Sequence, residues 1–365
     1  MTAMTAMTDS LEQLRRCHFA VDLGAARTRV YVKGAGLVVD QPSVAAVNTR
    51  TGALIAVGEF AERMMGRTPD YIRVVRPVSG GTVVDIEMAQ RMLRQLLGDK
   101  VRRALRRKPV LRAAACTPHD ADPLAQRATI ETLVGLGARR VELVDTLIAA
   151  AVGCGLPVEQ PEATMIMVCG AAATQLAVLS LGSVVNAVRI PVGGEAIDQA
   201  IVQHLRLRHE LTLPSQSVRP LQLALSGNGL TPHGPESTEI HGLDVATGLA
   251  RSVQVDTAAV RDAIQTPLTA VVDGIGKVLR DCPPDLVADL ADRGIMMVGG
   301  SALLPGFDQM LRHATGMPVH IAERPDVCAA LGVGAMLEGR IAPISLYSSD
   351  NRTDPLDDRT DPLDD

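Results

Sequence analysis

The chain has 365 residues, enough for two domains, and 47% of them are hydrophobic, enough for large cores. A net charge of −5 gives no basis for a general nucleic-acid or polyanion binder, and the absence of Trp, with only 3 Tyr and 3 Phe, argues against recognition by aromatic stacking. The 6 Cys have no CxxC or Cys/His spacing, so a zinc site is not expected and they read as reduced, buried small hydrophobes of a cytoplasmic protein.

The N-terminal MTAMTAMTDS has no charged segment followed by an apolar one, so no signal peptide is expected. No apolar stretch is long enough to span a bilayer, and LEQLRR at 11–16 is too short to anchor on one alone. Strands are predicted at 19–23, 29–32 and 37–39, with a turn at Gly34 and Gly36, then at 44–47 and 54–57. Helical spacing follows at 59–66 and 86–97. A strand at 110–116, a helix at 122–136, a strand at 141–144 and an Ala-rich helix at 146–153 complete the first half. The basic cluster Arg102, Arg103, Arg106, Arg107 and Lys108 reads as a solvated surface, with an anionic membrane as the minority reading.

The second half restarts with strands at 165–169, 175–180 and 184–190, the turn Val192-Gly193-Gly194 and a helix at 195–207. Residues 212–254 are rich in Pro, Gly, Ser and Thr and read as a less regular insert with short strands. Helices at 257–265 and 268–280, a strand at 294–298 and helices at 305–314 and 326–337 follow. The tail carries RTDPLDD twice, at 352–358 and 359–365, and is predicted to be an acidic, disordered, solvated segment. Strands alternating with helices argue for an α/β fold with mixed sheets.

One segment occurs twice. Residues 22–32 read DLGAARTRVYV and residues 168–178 read VCGAAATQLAV. Each is an apolar run, a tight glycine turn and an alternating run, the pattern of a strand, a turn and a returning strand. Small residues at such a turn let backbone N–H groups approach a phosphate, and a Thr hydroxyl adds a donor. The candidates are Gly24, Ala25, Ala26, Arg27 and Thr28 in the first turn and Gly170, Ala171, Ala172, Ala173 and Thr174 in the second. Two such turns suggest two related halves facing each other across a nucleotide. Asp22, at a strand end beside the first turn, is the candidate to hold Mg²⁺ through its water shell. Val168 stands at the matching place in the second copy. Asp145 follows a strand and precedes a helix, so it either caps that helix or polarises an attacking water. Gly299-Gly300-Ser301 forms a further strand-to-helix turn able to pass under an anion.

The order and spacing of DLGAART, VYVKGAGLVVDQPSV, GARRVELVD, VGGEAIDQAI, DRGIMMVGGSALLPGFDQML and CAALGVGAMLE resemble the bacterial actin homologues of the MreB and Mbl type, over roughly residues 18–340. The resemblance implies an actin-like fold of two lobes, duplicated ribonuclease-H-like domains with two small inserted subdomains. It implies a first lobe at 17–157 with a small subdomain at about 33–76. A second lobe follows at 158–314 with a small subdomain at about 195–256, then a return to the first lobe at 315–340 and the tail at 341–365. It also implies ATP and Mg²⁺ in the cleft, filaments at the inner face of the cell membrane, and a role with cell-wall synthesis proteins in wall (or spore-wall) morphogenesis and cell shape.

The departures from the family pattern lie in the cleft. DLGTANT has become DLGAART, so Asp22, Gly24 and Thr28 remain while Arg27 replaces an amide. DIGGGTT has become VCGAAAT, which removes the second acid and puts alanines where glycines stood; alanine is costly wherever a glycine held a positive φ. The Glu-Glu-Pro whose first Glu helps activate water reads Asp145-Thr146-Leu147, and the adenosine-side ERIK reads Arg219-Pro220-Leu221-Gln222. Gly299-Gly300-Ser301-Ala302-Leu303 stays close to GGGALL. Hydrogen bonds to charged groups are worth roughly 1.5–3 kcal/mol each, so losing two or three predicts weak ATP binding and weak or absent hydrolysis. Three readings stand: a filament or scaffold paralogue with degraded ATP chemistry, alone or with an active MreB paralogue; a working ATPase in which Arg27, Asp22 and Asp145 compensate; and a non-polymerising regulator of such a paralogue.

Overall fold

The computed structural model describes residues 11–106, 110–213, 218 and 237–340. After a short helix α1 (Leu11–Arg15) come strands β1 (Phe19–Leu23), β2 (Arg27–Val32) and β3 (Gly36–Pro42). A small unit follows, made of β4 (Ala45–Asn48), β5 (Leu54–Val57), α2 (Glu59–Met64) and β6 (Ile72–Val75). The hairpin β7 (Val78–Ser79) and β8 (Thr82–Val83) leads to α3 (Ile86–Arg106), β9 (Arg112–Thr117), α4 (Pro123–Gly135), β10 (Arg140–Asp145) and α5 (Thr146–Gly153). The second half runs β11 (Thr164–Cys169), β12 (Thr174–Ser180), β13 (Ser183–Ile190), α6 (Gly194–His209), β14 (Leu211–Thr212), β15 (Ser237–Asp244), β16 (Ala250–Asp256) and α7 (Thr257–Arg280). It ends with α8 (Pro284–Arg293), β17 (Ile295–Val298), a 3₁₀ turn at Gly300–Leu303, α9 (Phe307–Thr315), β18 (Val319–Ile321) and α10 (Cys328–Glu338).

The internal repeat becomes a repeat of topology. The first large sheet has the order β10-β9-β1-β2-β3 and the second β13-β12-β11-β17-β18. In each, three consecutive strands pair antiparallel and two later strands add in parallel beside the first of them. Strand β1 thus corresponds to β11, β2 to β12 and β9 to β17. The fold is the two-lobed actin-like α/β architecture expected.

Between the sheets lies one shared apolar layer. Helices α5 and α10 pack there with Ala20, Ala114 and Val144 of the first sheet and Ile166, Ala177 and Leu179 of the second. The helices cross closely because both carry glycine at the contact. A Cβ at Gly153 would stand 1.9 Å from Cys328 O, and one at Gly332 would stand 1.7 Å from Ala149 O. Helix α1 belongs to the same layer, with Leu11 and Leu14 buried among these residues, so its apolar side faces protein. Among the described residues no helix is long and apolar enough to cross a membrane.

Several elements differ from the sequence reading. Helix α7 runs on through Pro267 instead of breaking there. Proline costs about 3 kcal/mol in a helix interior, but α7 buries Leu268, Val271, Ile275 and Val278, worth roughly 1.5–3 kcal/mol each. Strands β6 and β18 were not foreseen; with four and three residues they are too short for alternation to register. Helix α3 extends past 97 through a break at Gly98 (φ 62°). In the insert, β15 and β16 form a regular hairpin from Ser237↔Asp256 to Leu243↔Ala250. Residues 214–217 and 219–236 of the insert and the acidic tail lie outside the described residues.

Candidate functional site

The two glycine turns are built alike. Gly24 N donates to Arg27 O at 3.1 Å, and Gly170 N donates to Ala173 O at 3.0 Å. A Cβ on Gly24 would meet Arg27 O at 2.8 Å, and one on Gly170 would meet Ala173 O at 2.9 Å, so each turn closes too tightly for a side chain at its first position. The alanines cause no strain, because among the described residues Leu181 and Glu210 are the non-glycine residues with positive φ. Substituting Ala171 and Ala172 for glycine therefore carries no φ penalty in this loop.

The carbonyl side of each turn is fastened to protein. In the first, Gly24 O accepts from Ser43 Oγ (2.6 Å), Ala26 O from Ser43 N (2.9 Å) and Ala25 O from Arg76 (3.4 Å). In the second, Gly170 O accepts from Gly194 N (3.0 Å) and Ser301 Oγ (2.9 Å), and Ala171 O accepts from Glu195 N (2.8 Å). In a trans peptide the N–H points opposite to the C=O, so these bonds turn the N–H groups of Ala25, Ala26, Arg27, Ala171 and Ala172 away from their fastenings. Successive N–H groups turned to one side of a loop are able to cradle an anion. The two threonines serve the turns rather than the cradle. Thr28 Oγ1 donates to Ser43 Oγ at 2.8 Å and Thr174 Oγ1 donates to Val192 O at 2.8 Å, both from buried positions.

Asp22 and Asp145 stand at the C-terminal ends of parallel strands β1 and β10, on either side of β9, where α/β sheets place their ligands. Cys116 lies between them. Burial pushes its thiol pKa well up, and the charges of Asp22 and Asp145 add to that shift. Asp145 is doubly engaged. Its Oδ1 accepts from Leu147 N at 2.8 Å and caps α5, and its Oδ2 meets His119 Nδ1 at 2.5 Å. That bond raises the pKa of His119, helped by the charges of Asp145 and Asp120 and opposed by burial.

Asp22 belongs to an ion network. Its carboxyl pKa is raised by burial, with Arg29 pulling it down and Asp40 pushing it up. Arg29, paired across the strands with Asp22, lies 4.0 Å from Asp22 Oδ2, 3.2 Å from Asp40 Oδ1 and 3.3 Å from Asp326 Oδ2. Arg27 bonds Asp40 through Nε (2.6 Å) and Nη2 (2.8 Å), which directs it along β3. In the second lobe the matching pair is Val168 and Gln175. Mg²⁺ takes an octahedral oxygen shell. The neighbours of Asp22 do not fit one, since a guanidinium faces it and a valine stands at the equivalent place. Among the described residues no three His, Cys, Asp or Glu side chains are grouped to hold a metal.

The lobes touch directly across this cleft. His119 N donates to Gln175 Oε1 at 3.1 Å, Arg189 Nη2 donates to Gly80 O at 2.6 Å, and Arg189 Nε lies 3.7 Å from Asp120 Oδ1. The Gly299 turn closes over the second loop, with Gly299 N on Pro325 O at 2.6 Å and Ala302 buried, while Leu303 is exposed. Arg219 and Gln222 lie outside the described residues. His119, Gln175, Arg189, Asp40 and Asp326 were missed by the sequence reading. Only His119 had a local signal, following Thr117-Pro118 directly after the end of β9.

Comparison with known proteins agrees with the fold. The family model described as MreB/Mbl protein matches residues 16–343. The cell shape-determining protein MreB of Escherichia coli (strain K12) is 34% identical over 323 residues, covering 87% of this chain and 92% of that protein. The cell shape-determining protein Mbl of Bacillus subtilis (strain 168) is 33% identical over 318 residues, covering 87% and 95%. Among solved structures, MreB5 of Spiroplasma citri bound to ADP superposes with a TM-score of 0.82 at 26% identity, covering 88% of this chain and 96% of that one. The MamK double helical filament, at 18% identity and a TM-score of 0.71 over 89% and 99% of the chains, shares the fold. The chain belongs to the MreB/Mbl family of bacterial actin-like cytoskeletal proteins.

Proposed function

We propose that this protein is an MreB/Mbl-like filament component at the inner face of the cell membrane that guides cell-wall, or spore-wall, synthesis. Its cleft binds ATP weakly and hydrolyses it poorly or not at all. Phosphates sit between the N–H faces of the turns at Gly24–Thr28 and Gly170–Thr174, with Gly299–Leu303 closing one side. The partners are further copies of the chain or an active MreB paralogue, together with wall-synthesis proteins and the membrane surface.

The engagement of Asp145 carries the reading. A residue that activates water must turn an oxygen toward it within about 2.6–3.2 Å, free of competing protein partners. Asp145 has one oxygen on the α5 N-terminus and the other on His119. The second acid of the pattern is Val168, which has no polar atom to offer. The protein's own contacts between the lobes, through His119, Gln175 and Arg189, support a cleft that closes without nucleotide and hence filaments that do not need ATP turnover. The test is phosphate release from ATP by the full-length protein at filament-forming concentrations. Release at background, unchanged in Asp145→Ala, is expected. Sustained release that Asp145→Ala abolishes would replace this reading with the working ATPase.

A further inference from the structure

We infer that the guanidinium of Arg29 fills the cation position beside Asp22, so that this cleft takes nucleotide phosphates without a divalent metal. The inference rests on the reading of the cleft as a nucleotide site and changes what that site requires. Arg29 lies among three acids: Nη2 donates to Asp326 Oδ2 at 3.3 Å, Nε stands 3.2 Å from Asp40 Oδ1 without a hydrogen bond, and Nη1 stands 4.0 Å from Asp22 Oδ2 as a charge contact. Its side chain is only 9% exposed. The position is fixed from both sides. Strand pairing places Arg29 opposite Asp22 on the same face of the first sheet. Asp326 lies in the short turn before α10, next to Pro325, whose carbonyl holds the N–H of Gly299. Asp40 is kept in place by Arg27.

Two guanidiniums therefore meet three carboxylates in one partly buried network. A dication placed beside Asp22 would stand against the positive charge of Arg29, whose Nη1 lies 4.0 Å from Asp22 Oδ2. Hydrated Mg²⁺ gives up its waters reluctantly and wants free carboxylate oxygens. The second lobe supplies none, because Val168 and Gln175 occupy the matching places. The charge that would balance Asp22 in place of a metal is thus held covalently by the protein.

Two measurements on the full-length protein decide the point. In the first, Mn²⁺ stands in for Mg²⁺ and its free signal is followed by electron paramagnetic resonance without nucleotide. The wild type is expected to leave the signal unchanged, and Arg29→Leu to bind Mn²⁺ saturably through Asp22, with the gain lost in Arg29→Leu/Asp22→Asn. Saturable Mn²⁺ binding by the wild type that Asp22→Asn removes would overturn the inference. In the second, ATP binding is measured by calorimetry in excess Mg²⁺ and in EDTA. Dissociation constants within about threefold are expected, whereas tightening by about tenfold or more in Mg²⁺, some 1.4 kcal/mol, would overturn it. Absence of ATP binding in both buffers would remove the nucleotide reading of the cleft and leave the Mn²⁺ result to decide the role of Arg29, with the wild-type arm sufficient if Arg29→Leu does not fold.

Discussion

His119 shows how one residue can connect the chemistry of the cleft to its stability. Its ring is bonded to Asp145, which raises its pKa above the ordinary value of about 6.5 for histidine. A group whose pKa is higher in the folded state stabilises fully below its unfolded pKa and loses that contribution as the pH rises through the folded value. The pair should therefore stabilise most below about pH 6.5 and fade in alkaline solution. Melting temperatures of the wild type and His119→Gln should differ most near pH 6 and converge as the pH rises. A gap that stays constant or widens would remove the charge from the account. At this scale the sequence was informative only where contacts are local. The turns at Gly24 and Gly170 could be read because a turn is encoded by neighbouring residues. His119–Asp145, His119–Gln175 and Arg189–Gly80 join residues 26, 56 and 109 positions apart, and no local pattern announces them. Arg27 was read as a phosphate-turn residue, and its bonds to Asp40 required the register of β2 on β3 to be known.

Elements carry the joint between the lobes. Helices α5 and α10 cross at Gly153 and Gly332, where a Cβ has no room against the opposing backbone. Gly332→Ala should push the helices apart and cost about 1–3 kcal/mol or more, as overpacking does. Denaturant unfolding checks this, and a substitution that leaves the midpoint unchanged would show that the crossing is looser than described. Helix α1 is held by Leu11 and Leu14 under α10. Leu14→Ala should cost about 2–5 kcal/mol, the range for buried leucines. The same variant should leave binding to anionic liposomes unchanged, since that side chain is spent on the core; loss of liposome binding without loss of stability would show instead that α1 undocks to meet lipid. Most element types were legible, because long apolar alternation and helical spacing are strong signals. The continuation of α7 through Pro267 was not, because the burial of Leu268, Val271, Ile275 and Val278 is a tertiary gain that outweighs a local cost.

At the scale of the whole molecule, the repeated segment is the visible part of a duplicated sheet topology, and the cleft lies where the two copies face each other. The duplication could be read because both copies kept their turn. The divergence between them, Asp22 with Arg29 against Val168 with Gln175, is what the proposal of a weak, metal-free cleft rests on. Contacts made by the protein alone hold the lobes together, so assembly is expected to follow from the fold rather than from a nucleotide cycle. High-speed sedimentation of the full-length protein, with ATP and Mg²⁺, with ADP and Mg²⁺, and with no nucleotide, tests this most directly. The account predicts filaments pelleting to the same extent in all three. Pelleting that appears only with ATP would contradict it.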